Sequence, residues 1–516
     1  MRDIVQLTTI LQDIDVIRIQ GPGRGTVASI CYDSRQCEPD GMFVAVPGLK
    51  TDGHQFISEA MARGARFIVH ERDFTPPPGV TAIQVGNSRR ILGRLGRNFY
   101  RHPSASLCLI AVTGTNGKTT VTYLLEAIFA AAGGRPGVLG TVNYRYGGTV
   151  LPAPNTTPES CDMHRILRNM VDAGVSHVIA EVSSHAIDLQ RSDDCDFDLG
   201  IFTNLSQDHL DYHGDMERYF AAKERFFLDV LPRSQKGRPL RMIVNGDDPW
   251  GRRLCREAAL PALTFGIENP GDIRAEAFTL GPGGTEARIN WHGRTFTLTS
   301  PLIGRHNLYN ILAATAAALA VGIPEADIRA GIKTLTRVPG RLEKVNHPGE
   351  PEVLVDYAHT EDALAKVLSN LAAFRKSRLI TVFGCGGDRD RGKRPLMGRA
   401  AVRGSDIAVL TSDNPRSEDP LAIIQEIEAG ITGEEIRKFS PAELLAQNPD
   451  RGYTIIPDRL TAIETAVAMA APSDIILIAG KGHEDYQIVG PRRLFFDDRL
   501  AAREALDKYR HRDGQS

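Results

Sequence analysis

A glycine-rich turn between a strand and a helix most restricts how this chain can fold. Residues 107–112 form an apolar run typical of a buried strand, and the chain continues as Thr113-Gly114-Thr115-Asn116-Gly117-Lys118-Thr119-Thr120. Glycines let the backbone curl so that several N–H groups point at one anion, and a following helix N-terminus adds partial positive charge. The sequence therefore predicts a phosphate-binding loop in an α/β domain.

Two side chains of this loop suit nucleotide chemistry. Lys118 can reach the terminal phosphates of a nucleotide, and the hydroxyl of Thr119 can bind Mg²⁺. The standard pattern GxxxxGKT would need glycine where Val112 stands, so the match is to a shorter loop. A glycine-rich turn with a surface lysine would use the same residues. The order strand, loop and helix favours phosphate binding.

Polar residues follow two further strand patterns. Glu181 ends the apolar run 178–180, and His209 follows the run 200–202. A carboxylate and an imidazole at strand ends beside a phosphate loop can complete a Mg²⁺ shell. Each residue alone could be a helix-start acid or a turn histidine. Together they favour a nucleotide and metal site.

Composition excludes several classes of protein. The chain has 516 residues, enough for about three domains, and its net charge of −2 gives no reason to expect a nucleic acid or membrane partner. The apolar stretch 311–321 is too short to span a bilayer, and the N-terminus lacks a long apolar region. Seven scattered cysteines without a CxxC pair suggest reduced thiols, so we expect a cytoplasmic protein.

Strand and helix patterns alternate through most of the chain, which predicts parallel sheets covered by helices. We predict an α/β fold with three domains. These are a small mixed α/β N-terminal domain at 1–106, a central P-loop parallel-sheet ATPase domain at 107–339, and a Rossmann-like C-terminal domain at 340–516. Residues 271–300 are predicted to be antiparallel. The strands predicted for the third domain are Val353 to Val355, Leu379 to Phe383, Asp406 to Leu410 and Ile475 to Ala479.

One loop of the third domain combines opposite charges. Asp413-Asn414-Pro415-Arg416 follows the strand that ends at Leu410, where an open α/β sheet presents its ligand-binding loops. Arg416 could hold a carboxylate with two hydrogen bonds, and Asp413 could face an ammonium. A solvated turn uses the same residues. The alternative is a site for a small zwitterion.

Motifs along nearly the whole chain resemble the Mur ligase family, ATP-dependent amide-forming enzymes of peptidoglycan precursor synthesis. The segments that carry the resemblance are Asp33-Ser34-Arg35, Gly114 to Thr120, Asn155 to Glu159, Glu181 to His185, Asn204 to Gly214, Tyr219 to Lys223, Gly304 to Asn310, Val338 to Arg341, Asp356 to Thr360, Gly384 to Lys393, Asp413 to Arg416 and Gly480 to Asp485.

The resemblance implies roles at the nucleotide. It implies that ATP, the co-substrate, contacts the loop Gly114 to Thr120 together with Asn307, Arg341 and Asp356. It also implies that Mg²⁺ lies near Thr119, Glu181, His209 and Lys223. In the family the lysine that matches Lys223 is carbamylated by CO₂, which turns a cation into an anion. The catalytic set is then Lys118, Lys223 as its carbamate, Glu181 and His209.

The other two substrates are implied in the same way. The first domain is expected to bind the uridine nucleotide through Ser34 and the loop 49–53. Residues matching contacts to the sugar-peptide substrate are Asn155, Thr156, Thr157, Ser183 and Arg191. Residues matching the pocket for the incoming amino acid are Arg389, Asp413, Asn414, Pro415, Arg416, Gly480 and Glu484.

Within the family the chain resembles members that add meso-2,6-diaminopimelate to UDP-N-acetylmuramoyl-L-alanyl-D-glutamate, because those members carry the Asp-Asn-Pro-Arg sequence found here at 413–416. Lysine-adding relatives generally lack that arginine, and they are the nearest alternative. Folylpolyglutamate synthase and a nucleotide-dependent switch protein are more distant ones. We expect small-molecule substrates, no nucleic acid, no membrane insertion and a monomer.

Overall fold

The computed structural model describes residues 4–48, 51–281, 283–346, 350–373 and 375–513. Three larger sheets follow one another along the chain, with five, eleven and six strands. Within those ranges, no helix is both long and apolar enough to cross a bilayer. All seven cysteines are free thiols.

The first sheet is mixed, with the order β2-β7-β6-β5-β4 and only β2 antiparallel to its neighbour. A separate antiparallel pair joins β1 to β3. The strands are β1 Val5–Gln6, β2 Val16–Gln20, β3 Thr26–Val27, β4 Ile30–Cys31, β5 Met42–Val44, β6 Phe67–His70 and β7 Thr81–Val85, and the helices are α1 Leu7–Ile10, α2 Ile57–Ala62 and α3 Ser88–Phe99.

The second sheet has the order β11-β10-β9-β12-β8-β13-β14-β15-β16-β17-β18, and its strands from β9 to β16 run parallel. Its strands are β8 Cys108–Thr113, β9 Pro136–Leu139, β10 Tyr144–Tyr146, β11 Thr149–Leu151, β12 His177–Glu181, β13 Leu199–Phe202, β14 Arg241–Asn245, β15 Ala262–Gly266, β16 Ile273–Gly281, β17 Gly284–Trp291 and β18 Arg294–Ser300. Its helices are α4 Lys118–Ala131, α5 Ser160–Asp172, α6 Ser184–Asp188, α7 Leu210–His213, α8 Met216–Arg225, α9 Pro249–Glu257, α10 Arg305–Ala320 and α11 Glu325–Thr334.

Helices cover both faces of this second sheet. One buried apolar cluster joins α4, α10 and α11 to the sheet, and the other joins α5 and α8 to the opposite face. The buried strands are continuous apolar runs, such as Leu109 to Val112, as expected for parallel strands covered on both sides. The phosphate loop therefore lies between a buried strand and a largely buried helix.

The third sheet has the order β19-β20-β24-β21-β22-β23, parallel except for β19, and a separate hairpin pairs β25 with β26. Its strands are β19 Glu343–Lys344, β20 Glu352–Asp356, β21 Leu379–Phe383, β22 Ile407–Leu410, β23 Gly452–Ile455, β24 Ile475–Ala479, β25 Tyr486–Val489 and β26 Arg492–Phe495. Its helices are α12 Glu361–Ala372, α13 Lys393–Gly404, α14 Pro420–Ala429, α15 Pro441–Gln447, α16 Arg459–Met469 and α17 Asp498–Asp513.

The predicted three-domain α/β class is confirmed. The antiparallel stretch predicted at 271–300 is present as β16, β17 and β18. The strand β23 and the hairpin of β25 and β26 were not predicted, because their sequences are partly polar and lie among turn residues. The limits 1–106, 107–339 and 340–516 stay our proposal for the domains.

The contact between α4 and α11 leaves no room for a side chain at Gly331. A methyl group there would lie 2.4 Å from Cα of Ile128. Alanine usually stabilises a helix by about 1 kcal/mol relative to glycine, whereas overpacking a core costs about 1–3 kcal/mol or more. We expect the steric cost to dominate, so that Gly331→Ala lowers the Tm measured by thermal unfolding.

The matched control is Gly86→Ala. An added methyl group at Gly86 meets no atom within 4 Å, so its Tm should be unchanged or slightly raised. A Gly331→Ala protein with an unchanged or higher Tm would contradict the close packing of α11 on α4.

Candidate active site

The phosphate loop is held in a shape that only glycine permits at two positions. Gly114 has φ +138° and Gly117 has φ +89°, both in the region that favours glycine. A Cβ atom at Gly114 would lie 2.0 Å from Oγ1 of Thr203, and one at Gly117 would lie 2.3 Å from Oδ1 of Asn310. The loop is thus confined between the end of β13 and the first turns of α10.

Hydrogen bonds fix the loop to the residues after β13. The backbone N–H of Thr115 donates to the carbonyl of Asn204 at 2.9 Å, and that of Asn116 donates to Oδ1 of Asn204 at 3.0 Å. Nζ of Lys118 donates to the carbonyls of Gly114 and Thr115, each at 2.9 Å. The lysine therefore lies over the loop, where the phosphates of a nucleotide would bind.

Glu181 lies beside the phosphate loop at the end of β12, only 1% exposed. Its Oε2 accepts hydrogen bonds from Oγ1 of Thr119 at 3.1 Å and from Oγ1 of Thr141 at 2.9 Å. Its Oε1 accepts from the backbone N–H of Thr141 at 3.0 Å. Thr141 was not predicted from the sequence, because its place beside Glu181 depends on the pairing of β9 with β12.

These oxygen atoms suit Mg²⁺. In the described ranges, no three His, Cys, Asp or Glu side chains are close enough to hold one metal ion. Mg²⁺ prefers oxygen ligands and is commonly bound by one or two carboxylates, nucleotide phosphates and water. The adjacent Thr119 and Glu181 fit that requirement. Thr119, Glu181 and His209 line one cavity, and the ring centroid of His209 lies 4.8 Å from that of His185.

Lys223 is buried on α8 and is only 1% exposed, unlike the solvated lysine that its polar helix suggests. Its Nζ donates to the carbonyl of Gly114 at 3.1 Å, the same carbonyl that accepts from Lys118. Burial, and then the nearby charge of Lys118, hold the pKa of Lys223 well below its usual value. The neutral amine is therefore easier to form here than in a solvated lysine.

A cavity of about 760 Å³ lies between the second and third sheets. The predicted nucleotide residues Asn307, Arg341 and Asp356 line it together with the phosphate loop. Nη2 of Arg341, just before β19, donates to Oγ1 of Thr119 in α4 at 3.4 Å. This hydrogen bond joins the third sheet's region to the phosphate loop. Four further residues that were not predicted as site residues from the sequence also line the cavity: Asp247, His306, Tyr309 and Asp362.

The predicted sugar-peptide residues lie close to Glu181. Oγ1 of Thr157 donates to the carbonyl of Glu181 at 2.9 Å and accepts from the backbone N–H of Ser183 at 3.1 Å. Nη1 of Arg191 donates to the carbonyl of Thr157 at 3.3 Å. Two neighbouring contacts extend the cluster. The hydroxyl of Tyr144 donates to the carbonyl of Asn155 at 2.5 Å. The hydroxyls of Thr141 and Thr156 lie 3.1 Å apart.

Ser34 lies apart from that cluster, in the first domain. Its Oγ donates to Oε2 of Glu59 at 2.9 Å. Leu49 and Lys50 of the predicted uridine loop lie outside the described residues. Asp52 of the same loop is described, and its Oδ1 accepts a hydrogen bond from the backbone N–H of His54 at 3.0 Å.

Three loops of the third sheet converge because they follow the adjacent strands β24, β21 and β22. Nδ2 of Asn414 donates to Oε2 of Glu484 at 2.9 Å, which joins the loops after β22 and β24. Nη1 of Arg416 donates to the carbonyl of Gly387 at 2.7 Å, which joins the loops after β22 and β21. Gly480 has φ +114°, and Pro415 packs against Gly387.

Arg389 and Arg416 both lie close to Gly386. A Cβ atom built there would be 2.8 Å from Nη1 of Arg416 and 3.8 Å from Cγ of Arg389. Partial burial, and then the nearby charge of Arg389, lower the pKa of Arg416. The partly buried guanidinium of Arg416, with the charge of the exposed Arg389 nearby, is suited to bind an anion.

The chain matches three models of one family. They are the Mur ligase middle domain over residues 112–318, the Mur ligase glutamate ligase domain over 340–482, and the Mur ligase family catalytic domain over 26–100.

Two similar proteins come from Geobacter metallireducens, at 47% identity over 94% of this chain and 96% of that protein, and from Geobacter sulfurreducens, at 44% identity over 99% of both. Both are named UDP-N-acetylmuramoyl-L-alanyl-D-glutamate--2,6-diaminopimelate ligase. A solved structure of a protein with that name has 31% identity and a TM-score of 0.67, covering 98% of this chain and 99% of its own.

Proposed function

The chain belongs to the Mur ligase family, and we propose that it adds meso-2,6-diaminopimelate to UDP-N-acetylmuramoyl-L-alanyl-D-glutamate while ATP is converted to ADP and phosphate. It is thus an ATP-dependent amide-forming ligase of peptidoglycan precursor synthesis, and we assign it to the cytoplasm, where ATP is available. One observation carries the proposal: a phosphate loop and a pocket with both acidic and basic side chains lie on two adjoining sheets.

ATP is needed because a carboxylate and a protonated amine do not condense in neutral water. The D-glutamate side-chain carboxylate attacks the γ-phosphorus of ATP, ADP leaves, and an acyl phosphate forms. The free amine of diaminopimelate then attacks the acyl carbon, phosphate leaves with one carboxylate oxygen, and the nitrogen loses a proton. Phosphoryl transfer of this kind requires mainly positioning and charge stabilisation.

Residues of the cavity supply that stabilisation. The backbone N–H groups of the phosphate loop and Nζ of Lys118 would face the transferring phosphoryl group. Arg341 reaches Thr119 from the third domain and adds a second positive charge to the cavity. Mg²⁺, when bound by Thr119 and Glu181 with His209 and the Lys223 carbamate nearby, would neutralise phosphate charge.

We propose that Lys223 carries a carbamate. Its buried amine has a lowered pKa and lies beside Lys118, so the neutral form that reacts with CO₂ is favoured. The amine nitrogen bonds to the carbon of CO₂ and releases one proton, which leaves an anion. That anion would pair with Lys118 and would remove the repulsion between the two amines.

The amino-acid pocket distinguishes diaminopimelate from lysine. Diaminopimelate ends in a carboxylate and an ammonium, whereas lysine ends in an ammonium alone. Arg416, with Arg389 beside it, would bind the extra carboxylate. With lysine bound, the guanidinium of Arg416 would lack that partner, so the lysine-adding alternative is disfavoured.

A competition assay tests the proposed function. Purified protein is incubated with ATP, Mg²⁺, UDP-N-acetylmuramoyl-L-alanyl-D-glutamate and equal concentrations of diaminopimelate and lysine, and product masses are measured. We expect the diaminopimelate product to dominate and to require all three substrates. A dominant lysine product, or ATP turnover without the sugar-peptide, would contradict the proposal.

A substitution of Arg416 in the amino-acid pocket tests the selection of diaminopimelate. Arg416→Ala leaves the extra carboxylate without its partner, which costs about 2 kcal/mol or more, a fall in kcat/KM for diaminopimelate of about 30-fold. Steady-state kinetics with varied diaminopimelate measures this. The control is Arg391→Ala, an exposed arginine paired with Glu426 in the same domain, which should retain wild-type kcat/KM. A kcat/KM for diaminopimelate that is equal in Arg416→Ala and wild type would rule out the contact between Arg416 and the extra carboxylate.

The carbamate predicts a spectroscopic signal. Protein equilibrated with ¹³C-labelled bicarbonate should show a carbamate carbon resonance in ¹³C NMR, because CO₂ in equilibrium with bicarbonate modifies the neutral amine. Lys223→Ala should lose this resonance together with ligase activity, while Lys236→Ala, a buried lysine paired with Asp198, should keep the resonance. A resonance that persists in Lys223→Ala would place the modification elsewhere.

A further inference from the structure

A fully buried lysine lies beneath the amino-acid pocket. Lys481 follows β24 and Gly480, and its side chain is 0% exposed. Its Nζ lies 3.4 Å from Oδ1 of Asp413, 3.2 Å from Oδ1 of Asn414 and 3.3 Å from Oε2 of Glu484. One ammonium therefore contacts three side chains of the pocket, and because it is buried, it contacts them from the side away from solvent.

These contacts orient the pocket. Oδ1 of Asn414 accepts from Lys481 and from the backbone N–H of Ile488 at 2.9 Å, so its amide nitrogen faces Glu484. Both Asn414 and Lys481 contact Oε2 of Glu484, so Oε1 is the oxygen that can face an incoming ammonium. Lys481 thus determines which polar atoms point toward the ligand.

The charge of Lys481 also balances the pocket. Burial and the nearby Asp413 raise the pKa of Glu484, and Lys481 opposes that rise. Without the ammonium, two partly buried carboxylates would face each other, and one would tend to bind a proton. A nearby buried cation is already paired, because Arg459 contacts Asp498 through two hydrogen bonds at 2.8 Å.

We propose that Lys481 is a positioning residue for the incoming amino acid: it holds Asp413, Asn414 and Glu484 in the arrangement that receives the ammonium at the far end of diaminopimelate. This inference rests on the proposed function, and it adds a residue that does not itself touch the substrate. The lysine affects binding of the amino acid and leaves ATP binding and acyl phosphate formation unchanged.

The test variant is Lys481→Met, which keeps a long unbranched side chain and removes the charge. We expect the KM for diaminopimelate to rise at least tenfold. The kcat at saturating diaminopimelate and the KM values for ATP and the sugar-peptide should change less than twofold. Acyl phosphate formation without diaminopimelate, measured as hydroxamate after trapping with hydroxylamine, should match the wild type.

Two further variants separate positioning from a general loss of stability. Lys236→Met removes another buried lysine, whose Nζ lies 2.6 Å from Asp198 in the central domain, and it should leave the KM for diaminopimelate unchanged. Lys481→Gln keeps hydrogen-bond donors without the charge, and we expect a KM between those of wild type and Lys481→Met.

The outcomes are distinguishable. A wild-type KM for diaminopimelate in Lys481→Met or Lys481→Gln would overturn the role of Lys481. Equal rises in all three KM values with loss of hydroxamate would also overturn it, because they would show a structural role alone. Failure of the proposed function would appear in the wild-type protein, as an absence of diaminopimelate ligation, and not only in the variants.

Discussion

The close contact of the phosphate loop with its neighbours is the constraint on which the site depends. Gly114 approaches Thr203 and Gly117 approaches Asn310 so closely that no side chain fits at either glycine. This contact holds the loop against the end of β13 and the start of α10, and it directs the carbonyl of Gly114 toward both Lys118 and Lys223. The buried amine of Lys223 thus shares a carbonyl with that of Lys118, and a carbamate there would replace two like charges with opposite ones.

The two parallel sheets then bring the reactants together. In each sheet the ligand-binding loops follow the carboxyl ends of adjacent strands: β9, β12, β8 and β13 in the central domain, and β20, β24, β21 and β22 in the third. Arg341 and Asp362 of the third domain reach Thr119 and Asn116 of the phosphate loop. The phosphate loop and the first loop and helix of the third sheet therefore line one cavity, where a carboxylate could be activated.

The sequence predicted the parts of this arrangement that have a local pattern. The strand, loop and helix around Lys118 and the loop containing Arg416 could be located from residue order, since apolar runs mark the strands that precede them. Thr141, Asp247 and Lys481 could not be assigned to the site in this way. Their positions depend on which strands are neighbours, and the 0% exposure of Lys481 contradicts the usual preference of lysine for solvent.

Oxygen labelling tests whether ATP activates the D-glutamate carboxylate as an acyl phosphate. UDP-N-acetylmuramoyl-L-alanyl-D-glutamate with ¹⁸O in that carboxylate is ligated to diaminopimelate, and the masses of the released phosphate and the product are measured. Ligation through an acyl phosphate should leave one labelled oxygen in each phosphate and the other in the new amide. Unlabelled phosphate, or label in AMP, would contradict it.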